Sequence, residues 1–373
     1  MDHGLYGLRA VMPSIPKPFT SANGHAAVTL EDCYLLMRQL HVLQKSGVPL
    51  LSSLSALQSQ MPSPILQRIL RDVHRDLLEG RTFSQALGRH SRAFGPIVVG
   101  MVRVGEAGGL LSEVLEQLAK LFEWEIELRH RLREALTYPA IVLVTLSIAI
   151  GIMLVFVLPR FSEMFRSFRI DLPFQTRLLI AVSDLLAHYG WLIALLAAGA
   201  AAGWWAYLHT EGGRLRWHAV KLKLPVVGPI FLQLSMSRFA RITAALTHSG
   251  VPMIETLALA AGSVNNRYVR QRLDRIRAKV VGGESVAGAM KADALFPPVV
   301  MQMVATGEET GRLDELLQSV SEYYDQQVNY AVRRLITYIE PALLLVVGCG
   351  VLLMATAVFV PMWDLVQMFK QGR

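Results

Sequence analysis

Apolar residues recur at helical spacing in the charged parts of the chain. Ile65, Ile69, Val73 and Leu77 lie four positions apart, which places them on one face of an α-helix. A half-buried strand would alternate apolar and polar residues, and no segment shows a convincing alternation of that kind. The pattern therefore predicts an all-α protein.

Three long apolar runs contain no charged residue: 140–158, 190–208 and 341–361. A helix of about 19 residues is ~28 Å long, close to the ~30 Å hydrocarbon core of a bilayer. Helices of large soluble proteins can be as apolar, but three of this length in one chain favour membrane insertion. We therefore predict transmembrane helices at 140–159, 190–208 and 341–361.

The chain also repeats itself at a spacing of 202 or 203 residues. A Ser-Gly-Val-Pro element and a Gly-Glu-x-x-Gly-x-Leu-x-Glu element each occur twice. Their key members are Gly47, Pro49, Gly105, Glu106, Gly109 and Glu113 in the first copy, and Gly250, Pro252, Gly307, Glu308, Gly311 and Glu315 in the second. A helical domain followed by a membrane helix has therefore been duplicated.

These patterns predict a polytopic all-α membrane protein with two repeated cytoplasmic helical bundles and three transmembrane helices. The predicted order is a flexible tail (1–28), bundle one (29–139), a membrane helix (140–159), a periplasmic loop (160–189), a membrane helix (190–208), bundle two (209–340), a membrane helix (341–361) and a periplasmic tail (362–373). The middle membrane helix has no counterpart in the repeat. It brings the second bundle back to the side of the first.

The side of the membrane on which the bundles lie is predicted from the charged residues beside the three membrane helices. Residues 1–27 lack the basic start and apolar core of a signal peptide, so we expect bundle one to begin in the cytoplasm. Lys and Arg flank the bundle side of all three predicted helices, as cytoplasmic segments do. The proposed outer loop also holds Arg160, Arg166, Arg169 and Arg177, which weakens the bias.

Local signals predict how the helices begin and end. The segment 29–32 (Thr-Leu-Glu-Asp) resembles a capping box with Asp in the Glu position. Gly47 suits a left-handed helix end, and Pro49 suits the first turn of the next helix. Gly250 and Pro252 repeat the same arrangement.

The Gly-Glu element has three possible interpretations. Two glycines make a tight corner between helices, and Glu113 and Glu315 fall in the first turn of the next helix, where they complement its dipole by about 0.3–1 kcal/mol. Alternatively these residues, with Glu106 and Glu308, form acidic contacts for a basic partner. The sequence also leaves an acidic metal site open.

The composition and the motifs of the chain limit the classes of function that it can have. The chain is 53% apolar and 18% charged with a net charge of +8, which fits a cytoplasmic location beside a membrane better than nucleic-acid binding. It contains no phosphate-binding loop and no metal-ligand motif, so we expect no catalytic site, cofactor or metal. Cys33 and Cys349 offer no disulfide framework. The basic segment 267–279 is a solvated helix, or a contact for anionic lipid or an acidic partner.

The membrane helices carry no ionisable residue at their centres, which argues against a transporter built from repeats. A membrane-bound enzyme would need paired acids or a Cys/His site near the membrane, and Glu340 at the boundary is not that. Gly199 and Gly203 form a small-xxx-small surface in the second membrane helix, which permits helix packing or self-association.

Several of these residues resemble one family. The segment 224–228 (Leu-Pro-Val-Val-Gly), the paired Ser-Gly-Val-Pro and Gly-Glu elements, and Glu340-Pro341 are similar to the type II secretion F/type IV pilus assembly PilC family. The resemblance runs from about Leu30 to the C-terminus. Members of the family often have a longer N-terminal segment, which puts in doubt whatever contact that segment makes.

The resemblance implies a non-catalytic platform in the bacterial inner membrane. Its cytoplasmic bundles would engage a hexameric secretion ATPase, and it would help to lift pilin or pseudopilin subunits into a fibre. Its other expected partners are inner-membrane assembly proteins and further copies of itself. A secretion machine and a pilus machine would carry similar platforms, so both alternatives stay open.

Overall fold

A computed structural model describes residues 28–152, 210–224, 227–291, 293 and 295–370, together with isolated positions between 189 and 207. The regular elements within these residues are all α-helices, which confirms the predicted all-α fold. The first copy contains α1 (Leu30–Lys45), α2 (Leu50–Gln60), α3 (Pro64–Leu78), α4 (Phe83–Arg89), α5 (Ser91–Gly108) and α6 (Leu111–Ile152).

The second copy repeats this order. After α7 (Glu211–Lys223) come α8 (Val227–His248), α9 (Met253–Ser263), α10 (Arg267–Val281), α11 (Val286–Lys291), α12 (Pro298–Thr310) and α13 (Leu313–Lys370). Helices α1 to α6 correspond in sequence to α8 to α13. The duplication predicted from the sequence is therefore also a duplication of helix order.

The predicted capping box is confirmed at the start of α1. The Thr29 backbone N–H donates to Asp32 Oδ2 at 3.0 Å, and the Asp32 backbone N–H donates to Thr29 Oγ1 at 3.1 Å. Each side chain therefore satisfies a backbone donor that has no partner within the helix.

The Ser-Gly-Val-Pro elements form the same turn in both copies. Gly47 and Gly250 have φ of 76° and 80°, a left-handed conformation that favours glycine. The next residue of the chain donates its N–H back into the ending helix, from Val48 to Leu43 O at 3.0 Å in the first copy. Pro49 then caps α2.

The two copies share one core. Residues up to Arg131 form one compact unit with His218–Ala331, and a single apolar cluster holds buried side chains from both copies. One place where the two copies meet is the packing of α5 on α9. The two helices are close there, since a Cβ added to Gly100 would lie 3.0 Å from Leu259 Cδ1.

The second compact unit, Leu132–Trp217 with Val332–Arg373, contains the apolar runs. Helix α6 continues through Pro139, and α13 continues through Pro341 and past Pro361 to Lys370. The predicted bundle ends at 139 and 340 are therefore not helix ends. Each bundle's last helix and the following apolar run form one helix, although proline removes a backbone donor.

Two helices among the described residues are long and apolar enough to cross a membrane, Leu111–Ile152 and Leu313–Leu352. They touch at Gly350, where an added Cβ would lie 3.6 Å from Leu146 Cδ1. A bent pair, Leu215–Lys223 with Val227–His248, passes the same test only when counted together, across an angle of 113°. The predicted helix at 190–208 lies largely outside the described residues.

Candidate functional site at the repeated glycine-glutamate corner

The first glycine of each Gly-Glu element lies where two helices meet closely. A Cβ on Gly105 would lie 2.6 Å from Val114 Cγ2 on α6. A Cβ on Gly307 would lie 3.0 Å from the Cα of Leu313, the first residue of α13. Any larger residue would push the next helix away, so this position sets the distance between the paired helices.

The second glycine reverses the chain. Gly109 and Gly311 have φ of 71° and 70° and end α5 and α12 in the left-handed conformation. In the first copy the Leu110 N–H donates to Gly105 O at 2.8 Å, which closes the last turn. The long helix α6 then begins at Leu111.

Glu106 caps a different helix. Its carboxylate accepts hydrogen bonds from the backbone N–H of Phe83 at 2.6 Å and of Ser84 at 3.1 Å. The Ser84 hydroxyl also donates to it at 2.7 Å. These donors lie at the start of α4, where the helix dipole favours negative charge.

Glu308 makes the equivalent contacts in the second copy. Its carboxylate accepts from the backbone N–H of Val286 at 2.5 Å and of Ala287 at 2.8 Å, at the start of α11. The glutamate therefore ties the corner to a short helix that precedes it in each copy. Both carboxylates are engaged within the protein.

The last glutamate of each element points to solvent. Glu113 and Glu315 are exposed in the first turns of α6 and α13. Glu315 pairs with Arg312, whose Nε lies 3.0 Å from its Oε1. Of the four glutamates in the two Gly-Glu elements, these two are the ones that are exposed.

The other predicted positions lie apart from this corner. Glu340 and Pro341 are exposed on α13. Gly199 and Gly203 are helical, and a Cβ on either would meet no described atom within 4 Å. The structure brings neither pair together with the Gly-Glu elements, and packing through the two glycines stays a prediction.

Contacts between the copies were not predicted from the sequence. They join Trp124 to Asp325, Glu125 to Arg238, Arg103 to Glu255 and Arg131 to Asn329. One signal could have revealed Glu125, because it continues the apolar helical series of Leu118 and Phe122 with a charged residue. A charge on such a face needs a partner.

The raised pKa of the buried Cys33 thiol indicates a structural role for this residue. Burial, reinforced by the charges of Asp32 and Glu31, raises the pKa of the Cys33 thiol to about 12, so it stays protonated at neutral pH. Across the part of the chain that the structure describes, no group of three or more His, Cys, Asp or Glu side chains is placed to hold a metal ion.

Comparison with known proteins gives consistent matches. A sequence model of the family described as Type II secretion system (T2SS), protein F, matches residues 36–159 and 239–361. A type IV pilus assembly protein PilC of Thermus thermophilus is 35% identical over 341 residues, covering 90% of this chain and 83% of the relative. A type II secretion system protein F of Pseudomonas aeruginosa is 33% identical over 349 residues, covering 94% and 85%.

Proposed function

The chain belongs to the family of type II secretion system protein F, platform proteins of type II secretion and type IV pilus machines, and we propose that it couples a cytoplasmic ATPase to fibre assembly in the inner membrane. The double match to the family supports this most directly, because both copies are recognised. In this proposal the chain is a scaffold that binds and positions other components and catalyses no reaction.

The proposed topology has three membrane spans. They cover 140–159, 190–208 and 341–361, so that the bundles at 29–139 and 209–340 both lie in the cytoplasm. Two apolar helices support the outer pair of spans, and the Lys and Arg residues beside the bundles support the orientation. The loop at 160–189 and the end of the chain at 362–373 then face the periplasm.

The coupling follows from how the copies are built. The chain has no phosphate-binding loop of its own, so the energy for assembly must come from a partner that hydrolyses nucleotide. Helices α6 and α13 run without a break from the shared core into the apolar runs. Movement imposed on the bundles by an ATPase would therefore reach the membrane, where pilin or pseudopilin subunits are held.

Glu113 and Glu315 are the proposed contacts with the ATPase. Both are exposed and repeat at equivalent positions, whereas Glu106 and Glu308 are engaged internally. A basic surface on the ATPase would complement them. Such contacts between exposed charges act mainly on the association rate and weaken as salt is added.

Co-purification with the ATPase tests this proposal. The tagged full-length chain in detergent should retain the cognate ATPase, and Glu113→Lys combined with Glu315→Lys should weaken binding at least fivefold. Glu322→Lys is a matched control, because Glu322 is exposed on the same helix as Glu315 but lies outside the motif. No binding by the unaltered chain would contradict the coupling; unchanged binding by the double variant would contradict only the acidic contact.

A further inference from the structure

The two copies are joined by a buried ion pair. Arg238 on α8 of the second copy places Nη2 2.5 Å and 2.7 Å from the two carboxylate oxygens of Glu125 on α6 of the first. Both residues are more than 90% buried. A buried charge that loses its partner is strongly unfavourable, so each residue depends on the other.

The neighbouring residue on α6 fills a polar cradle on the second copy. Trp124 Nε1 donates to Asp325 Oδ1 at 3.2 Å, and the guanidinium of Arg241 stacks on the indole with its carbon 5.1 Å from the ring centroid. Ser237 and Arg241 both bond to Asp325. Ser237 has a small side chain beside this cradle.

The first copy has the same cradle, but it is already filled. At the repeat spacing, Arg38 and Glu123 correspond to Arg241 and Asp325, and Tyr34 corresponds to Ser237. The Tyr34 hydroxyl accepts from Arg38 at 2.6 Å and donates to Glu123 at 3.2 Å, and Arg38 lies over the Tyr34 ring. Tyr34 thus provides within the first copy the aromatic contact that Trp124 brings to the second.

The two residues of the ion pair are not repeated at the equivalent positions of the other copy. Leu35 in the first copy corresponds to Arg238, and Gln327 in the second copy corresponds to Glu125. Gln326 likewise corresponds to Trp124. The copies therefore differ at both of the consecutive residues that α6 brings to the interface and at both that α8 brings. Each difference removes one partner of a contact.

We infer that Trp124-Glu125 on the first copy and Ser237-Arg238 on the second are the specificity determinants that make a first copy pair with a second copy and not with a copy of its own kind. Two first copies could not pair through these residues, because Tyr34 fills the cradle and Leu35 would leave Glu125 without a counter-ion. Two second copies would lack the tryptophan and the carboxylate. Specificity arises from these mismatches as much as from the matched contact.

Pairing within one chain is also favoured by the chain itself, because linked partners meet at high effective concentration. In a machine that contains several copies of this protein, the bundles of neighbouring chains would then stay unmixed. The surfaces left outside the pair would remain available to other components.

Site-specific cross-linking of the full-length chain tests the pairing. Arg131 and Asn329 lie across the interface, with Nη1 3.3 Å from Oδ1, so both are changed to cysteine in a Cys349→Ser background. A short bismaleimide should link them within one chain, giving a product of monomer mass. Co-expressing a chain with Arg131→Cys alone and a differently tagged chain with Asn329→Cys alone should give no covalent dimer. A dimer there would contradict pairing within one chain, and no product in the double-cysteine chain would overturn the inference.

Charge reversal tests the specificity. Glu125→Arg should reduce the intrachain product at least fivefold, and adding Arg238→Glu should restore it to at least half. Glu116→Arg is the matched control, because Glu116 lies on the same helix in a partly exposed pair with Lys120 and should leave the product unchanged. A loss with the control as large as with Glu125→Arg, or no loss with Glu125→Arg, would overturn the assignment.

A neutral variant covers the case in which reversed charges prevent folding. Trp124→Gln with Glu125→Gln copies the residues of the second copy onto the first. It should lower the product at least threefold while the buried Cys33 stays unreactive, which shows that the first copy is folded. An unchanged yield with Cys33 protected would contradict the proposed role of these residues.

Discussion

Glu106 caps the helix that begins at Phe83, 23 residues earlier in the chain, by accepting its backbone N–H at 2.6 Å. Glu308 makes the same contact with Val286. The Gly-Glu element thus fixes three helices at once: the one it ends, the one that follows the corner and the short one that it caps. These contacts within each copy explain why the element is repeated, and the last glutamate of each element is exposed.

Replacing Glu106 with alanine should destabilise the first copy by about 1–3 kcal/mol, because the N–H groups of Phe83 and Ser84 lose a charged acceptor. The midpoint of denaturant unfolding in detergent measures this, with exposure of Cys33 as the reporter. Glu113→Ala is the control from the same motif. It is exposed in a first helical turn and should cost less than about 1 kcal/mol. Equal effects of the two changes would contradict the capping role.

Gly105→Ala should cost about 1–3 kcal/mol, because its methyl group would lie 2.6 Å from Val114 Cγ2 and 3.3 Å from Leu110 O. Gly108→Ala is the comparison, since its methyl group would lie 3.9 Å from Leu110 and makes an ordinary contact. We expect that change to be neutral or to stabilise by about 0.4–1 kcal/mol. Thermal unfolding of the purified chain measures the change in stability for each variant. A Gly105→Ala chain as stable as the unaltered one would contradict the close contact between Gly105 and α6.

Cys33 should not react with maleimide in the folded chain at pH 7–8, because it is fully buried and its thiol pKa is raised to about 12. In a Cys349→Ser background, labelling should appear only as the chain unfolds. The raised pKa also makes the free energy of unfolding depend on pH. The contribution of the Cys33 thiol to stability is complete below its unfolded pKa of about 8.5–9 and declines as pH rises toward 12. Rapid labelling under native conditions would show that the first copy opens.

Gly350→Leu should separate α6 from α13, because Leu146 Cδ1 and Ile150 Cδ1 lie 3.6 Å and 3.8 Å from the position of a Cβ there. Overpacking of this kind costs about 1–3 kcal/mol. At Gly348, two residues away, a Cβ would meet no described atom within 4 Å, so Gly348→Leu is the control. The first variant should unfold at a lower temperature in detergent than the second, and equal melting temperatures would contradict this contact.

Local rules were enough for much of the fold. The capping box at Thr29, the left-handed turns at Gly47 and Gly250, and the helical spacing of apolar residues depend on neighbours in sequence, and the structure confirms them. The repeat and the family resemblance also come from sequence directly.

Contacts between distant residues could not be predicted in this way. Glu106 reads as a surface charge until α4 is seen beside it, and Pro139 reads as a helix boundary although α6 continues through it. The pairing of Glu125 with Arg238 was hidden for a further reason. Comparing the copies highlights what they share, and these residues differ between them.

The platform role is tested most directly by deleting the gene in its host and scoring both surface pili and exported proteins. Loss of one of the two, restored by the intact gene, is the predicted result and would also decide which machine the chain serves. Normal pili together with normal export, under conditions in which the gene is expressed and no second copy is present, would contradict the account.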